Sequence, residues 1–129
     1  LSGSIVDSIE YSASKIANHV GATAIACLTH SGTAARTLAK YRPQMPIVAI
    51  MDKEESLRKL AFVWGVEGVL IPELAATDDL FGMVARVLVE NNRAENEDFI
   101  VVTAGTPTLG RGTTNTIKVH QVKVPGIRA

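Results

Sequence analysis

The stretch AIACLTHSGTAARTLAKY, residues 24–41, decides the fold. Its first half is apolar and β-leaning, and its second half has the 3.6-residue spacing of an amphipathic helix. Between them lie five small or hydrogen-bonding residues, Thr29, His30, Ser31, Gly32 and Thr33. A strand that stops at a Ser-Gly turn and restarts as a helix leaves the first amides of that helix above the strand's carboxyl end, which outlines an anion site. The plainer reading is that Ser31 or Thr33 only caps the helix.

Working outward, the chain alternates. Ile5, Ile9, Ile16 and Val20 recur near helical spacing, with Asp7, Glu10 and Lys15 expected on other faces, so residues 5–20 predict a helix ending at Gly21. Residues 22–28 and 46–51 are short apolar runs without strict alternation, as expected of strands buried on both faces of a parallel sheet. The helix after the first run should end before Pro43. Asp52 reads as the N-cap of a third helix reaching about Phe62, with Leu57, Leu60 and Ala61 inward. VEGVLIP supplies a third strand, and Thr77-Asp78-Asp79 opens a helix whose Leu80, Val84, Val87 and Leu88 face inward. Residues 98–104 form the fourth strand. A Gly-rich loop, residues 105–115, then leads without a helix into TIKVHQVKV (116–124), an alternating edge strand expected to pair antiparallel. The order αβαβαβαββ predicts a three-layer αβα sandwich with a mostly parallel five-stranded sheet and an antiparallel edge strand, in one domain spanning residues 1–129.

Charge and composition exclude several functions. Thirteen basic and thirteen acidic side chains balance, and neither sign forms a block, so nothing suggests nucleic acid or an anionic membrane surface. No apolar run is long enough to support a membrane span, no basic stretch followed by an apolar run and cleavage site supports a signal peptide, and the single Cys27 inside an apolar run fits a reducing, cytoplasmic setting. The start at Leu1 rather than Met suggests a piece of a longer chain. His19, His30 and His120 are too scattered for a metal-ligand pattern, and Trp64 and Phe62 are expected in core or interdomain packing.

In an open α/β sheet, ligands sit beyond the carboxyl ends of the strands, where residues 29–33 and the Gly105–Asn115 loop both fall. The segment Gly105 to Arg111 imitates a nucleoside-triphosphate loop, but Arg111 is followed by Gly112 and then a strand, which rules that reading out. What remains is a plausible clamp for one anion: glycines Gly110 and Gly112 that let backbone approach, the guanidinium of Arg111, and the hydroxyls of Thr113 and Thr114.

LTHSGTAARTLAKYRPQMPIVAI, then RKLAFVWGV, then TDD, and finally VVTAGTPTLGRGTTNTIKVHQV together resemble the carboxyl-terminal domain of bacterial pyruvate kinases, over almost the whole chain. The resemblance implies a regulatory domain that packs against a catalytic (β/α)8 barrel absent from these residues. In many members it binds a phosphorylated effector such as fructose 1,6-bisphosphate, and subunits meet across a two-fold axis. Magnesium and potassium would belong to the parent enzyme, and this domain itself would carry no cofactor and no catalytic residue. Thr29, His30, Ser31, Gly32 and Thr33 would hold one phosphate. Two departures leave the effector open: Ala34 stands where some members have a second hydroxyl, and ELAATDDLF (73–81) lacks the Trp and Arg that hold the other phosphate in eukaryotic members. A stand-alone phospho-ligand protein of the same fold is the alternative. A hydrolase using Ser31 with His30 is disfavoured, since neighbours in a turn rarely pair as nucleophile and base, and the sequence shows no carboxylate to orient the imidazole.

Overall fold

A computed structural model of the protein describes residues 4–72, 79–105 and 114–124. Its elements run α1 (Ile5–Val20), β1 (Ile25–Leu28), α2 (Thr33–Lys40), β2 (Ile47–Met51), α3 (Glu54–Lys59), β3 (Val66–Leu70), α4 (Leu80–Glu90), β4 (Phe99–Ala104) and β5 (Thr116–Gln121). The sheet order is β3-β2-β1-β4-β5. All neighbours are parallel except β4 and β5, which pair antiparallel from Phe99↔Gln121 to Ala104↔Thr116.

The two faces of β1 show why its sequence lacks alternation. Ala24 and Ala26 pack with Val84, Ala85 and Leu88 of α4 on one side. Ile25 and Cys27 turn to the other, where α1, α2 and the end of α3 supply Ala13, Ala17, Ala35, Leu38 and Leu60. Both faces are covered by helices, as a parallel sheet requires. Alanines line much of α1 and α2, so these helices approach the sheet closely. Tyr41 ties them together at one end, donating to Asp7 Oδ1 at 2.7 Å and meeting the Tyr11 ring edge-on at 5.2 Å.

Local chemistry sets the helix ends. Ser4 caps α1 by accepting from the Asp7 amide at 3.0 Å, and Gly21 ends it in the left-handed conformation at φ 72°. Asp79 caps α4 by accepting from the Gly82 amide at 3.1 Å.

Several expectations are corrected. Asp52 is not a helix cap: α3 starts at Glu54 after an extended Lys53, and the Asp52 carboxylate turns to His30 instead. Ala61 is exposed, not inward. Of the two settings expected for Phe62 and Trp64, core or interdomain packing, the core of this domain is ruled out, with 98% and 71% of their surface open to solvent. On α1 the apolar ends Ile5 and Val20 are left 54% and 40% exposed, while Glu10 is fully buried. The reason is that the inward stripe of α1 is a row of small side chains, Ala13, Ser14 and Ala17, and Glu10 falls in that row one turn earlier.

Candidate functional site

The strand order reverses direction at β1. The chain moves from β1 outward to β2 and β3, then returns to the other side of β1 as β4, so the gap between the ends of β1 and β4 is the switch point where open α/β sheets hold ligands. With Cys27 opposite Thr103 in register, the residues that leave β1 run beside those that leave β4.

Residues 29–33 fold there into a compact hinge. Gly32 holds φ 88°, and a Cβ at that position would stand 3.2 Å from Leu60 Cδ2, so only glycine suits the turn. The buried Thr29 hydroxyl accepts from the Gly32 amide at 3.0 Å. Ser31 Oγ accepts from the Thr33 amide at 3.3 Å and donates to Thr33 Oγ1 at 3.0 Å. The first amides of the hinge are therefore not bare, since its own hydroxyls stand where anion oxygens would sit. Thr33 Oγ1 also accepts from Arg36 Nη2 at 3.4 Å, which fills both its lone pairs and leaves its own hydrogen to give. The helix cap is Gly32, without a side-chain bond, and the first turn of α2 carries no acidic residue to offset its dipole.

His30 is held from two sides. Its Nδ1 lies 3.3 Å from both oxygens of Asp52, and its carbonyl accepts from the Ser56 hydroxyl. Sequence reasoning missed Asp52 because an Asp before a helical pattern reads as a cap. The available signal was register: Leu28 lies opposite Ile50, so residues two beyond each, His30 and Asp52, must leave the sheet side by side. A carboxylate does orient this imidazole, contrary to expectation.

Of the second loop, Thr114 is described and 97% buried, while the Asn115 amide returns to the Ala104 carbonyl at 3.0 Å. Gly110, Arg111, Gly112 and Thr113 lie outside the described residues. Among the described residues, no three His, Cys, Asp or Glu side chains gather as a metal-holding group, and no helix is long and apolar enough to cross a membrane.

A second polar cluster lies inside the molecule. Glu10 Oε2 accepts from Thr103 Oγ1 at 3.1 Å and from Cys27 Sγ at 3.6 Å, while Oε1 has no partner. Burial is the main reason that the Glu10 carboxyl is raised to about 7, with the two hydrogen bonds pulling the other way. Burial likewise pushes the Cys27 thiol well up, and the neighbouring Glu10 adds to it, so this cysteine is not a thiolate nucleophile.

The elements together define a small α/β domain with a mostly parallel five-stranded sheet covered by helices. The chain belongs to the family of the pyruvate kinase alpha/beta domain, whose model matches residues 7–120. It is 40% identical over 119 residues to the pyruvate kinases of Staphylococcus aureus strains USA300 and NCTC 8325, covering 92% of this chain and 20% of each relative. The chain thus spans about a fifth of the length of these relatives. Among solved structures, a pyruvate kinase from Cryptosporidium parvum superposes with a TM-score of 0.84 at 25% identity, over 94% of this chain and 23% of that one. The same organism's enzyme in complex with ADP gives 0.83 at 24% identity over 94% and 24%.

Proposed function

We propose that this chain is the effector-binding and subunit-contact domain of a cytoplasmic pyruvate kinase, which transfers the phosphoryl group of phosphoenolpyruvate to ADP. The domain does no chemistry by itself. Its ligand is a phosphorylated small molecule or inorganic anion, received between Thr29–Thr33 and the loop that carries Gly110, Arg111, Gly112, Thr113 and Thr114.

The observation that carries this reading is the hinge at the switch point: three hydroxyls on a glycine turn, beside the end of β4, at the start of a helix without acidic residues in its first turn. An anion there gains the helix dipole and hydroxyl donors together. Thr33, with its own hydrogen to give, is the natural first contact. Arg111 closes from the second loop in this reading. Departures from the family pattern at Ala34 and residues 73–81 leave a sugar monophosphate or nucleotide monophosphate as credible as a bisphosphate.

Titration calorimetry with fructose 1,6-bisphosphate, sugar monophosphates, AMP and phosphate tests the site. Ser31→Asp should weaken every phosphorylated ligand at least about tenfold, or about 1.4 kcal/mol, because it puts a carboxylate where phosphate belongs. Its own fold should survive, since Asp still accepts from the Thr33 amide. Equal affinity in parent and variant would return the hinge to the role of a helix cap.

A further inference from the structure

Glu10 joins three elements at one point. Its Oε2 accepts from Cys27 Sγ of β1 at 3.6 Å and from Thr103 Oγ1 of β4 at 3.1 Å, and Thr103 Oγ1 lies 3.3 Å from Cys27 Sγ, so the three groups close a triangle. Cys27 and Thr103 face each other in register, two residues before Thr29 and one before Ala104. Thr29 opens the hinge, and the Ala104 carbonyl takes the Asn115 amide where the second loop returns. A carboxyl on α1 therefore clasps β1 to β4 directly beneath both segments of the switch point.

The surroundings of this clasp suit a neutral acid and not a carboxylate. Glu10, Cys27 and Thr103 are each 0% exposed, and among the described residues Oε1 has no hydrogen-bond partner. No cation answers the group from any element packed around it. On α1, Lys15 sits over the Tyr11 ring, Asp7 is bonded by Tyr41, and His19 is exposed in the last turn. Cys27 is the only titratable residue of β1, and β4 has none. Arg36 of α2 donates to Thr33, and Lys40 is exposed. Lys118 and His120 of β5 stand against Phe81, which packs on the α4 side of the sheet. Burial thus outweighs the two hydrogen bonds and lifts the Glu10 carboxyl to about 7. The seam above it is lined by Ala13, Ser14 and Ala17, small side chains whose burial contributes less than that of a Leu or Ile, so water reaches Glu10 at least cost where α1 meets the strands.

We propose that Glu10 is a proton-operated clasp, which in its neutral form locks α1 across the ends of β1 and β4 and on losing its proton loosens α1 together with the hinge at residues 29–33. The loosened state hydrates the carboxylate and restores its ordinary affinity for protons, so opening is favoured as the pH rises from about 4.5 to about 7 and levels off above that. Where the hinge receives an anion, which rests on the functional reading above, binding selects the locked state and draws a proton onto Glu10 near neutral pH. Glu10 is then a positioning residue for the site, acting through the strand ends without touching the ligand.

The test is hydrogen–deuterium exchange, read by mass spectrometry on the full-length protein carrying this domain. After correction for intrinsic exchange, protection of residues 5–20 and 29–33 should fall on the order of tenfold between pH 5 and pH 8. Glu10→Gln, which cannot ionise, should remove that dependence. Thr103→Val keeps the shape but takes away a hydrogen bond that favours the charged form, so it should move the transition to higher pH. An equal fall in Glu10→Gln, an unmoved transition in Thr103→Val, or a fall confined to α1 with the hinge unchanged would each overturn the proposal. Calorimetry with sulfate, which does not titrate in this range, should show proton uptake at pH 7 in the parent and none in Glu10→Gln when buffers of unequal ionisation enthalpy are compared. Sulfate bound by the parent without proton uptake would overturn the link between clasp and hinge. The exchange transition without sulfate binding defeats the effector reading alone, whereas sulfate binding without the transition defeats the clasp alone.

Discussion

Two residues show how a single side chain, or the lack of one, governs this domain. Glu10 is a carboxyl group sealed between α1, β1 and β4, with one oxygen bonded and the other without a partner. Its folded-state pKa of about 7 lies above the ordinary value of 4.5, so the fold prefers the neutral acid. The contribution is fully present below about pH 4.5 and is lost as the pH rises through 7, on the order of 3 kcal/mol in all. Urea unfolding from pH 5 to pH 9 should therefore show the midpoint falling with pH. Glu10→Gln should flatten that slope and be the more stable protein at pH 9, and an unchanged slope in the variant would show that Glu10 is not the group responsible. Gly32 works through its backbone. At φ 88°, with Leu60 3.2 Å from any added Cβ, Gly32→Ala should cost at least about 1 kcal/mol by thermal unfolding and weaken ligand binding at the hinge. The need for glycine there was legible from the Ser-Gly turn between strand and helix. The burial of Glu10 was not, because a charged residue among apolar ones ordinarily marks the outer face, and only the packing of the small stripe Ala13, Ser14 and Ala17 against the sheet reverses that.

Among the elements, β1, β2 and β4 were readable to within a few residues because burial on both faces removes alternation, β5 because its sequence alternates, and α1 and α2 because Gly21 and Pro43 punctuate them. The short α3 was not. Its six residues end at Lys59 rather than near Phe62, and its apolar continuation faces water, because apolar residues that follow a helical pattern read as core in a sequence whether or not anything covers them. The hinge as a glycine turn lined with hydroxyls was legible from residue types, but the Asp52–His30 pairing needed the register of β1 with β2. A prediction belongs to the edge strand β5, which pairs with β4 on one side only and carries Lys118 and the 41%-exposed Val119. Such an edge offers unpaired backbone groups, and the subunit-contact reading has two copies pairing through residues 116–124 about a two-fold axis. Sedimentation should find dimers, and Val119→Glu, which brings like charges close at such an axis, should shift them toward monomer. Monomer alone at high concentration would exclude the arrangement.

At the scale of the whole molecule, the 129 residues amount to about a fifth of each curated relative, and that proportion frames what the chain can do alone. Phosphoryl transfer depends on positioning and on neutralising charge at the moving group, with metal ions held by carboxylates and a cation to receive the phosphoryl oxygens. The acidic residues described here serve otherwise: Asp79 caps α4, Glu67 binds Arg93 at 2.8 Å, Glu97 binds Lys123 at 3.2 Å, Asp52 faces His30, and Glu10 is sealed in the core. The cations of α2 line an open cleft without a carboxylate to pair metal with substrate. Supplied with phosphoenolpyruvate, ADP, magnesium and potassium, the 13.7 kDa chain should form no pyruvate above the buffer rate in a coupled assay, while still taking up a phosphorylated ligand at the hinge. Activity that elutes with a much larger protein would point to host enzyme carried through purification. Turnover that tracks the 13.7 kDa chain through successive columns, and that Ser31→Asp abolishes, would mean that the hinge is a catalytic centre and that its reading as an effector site is wrong.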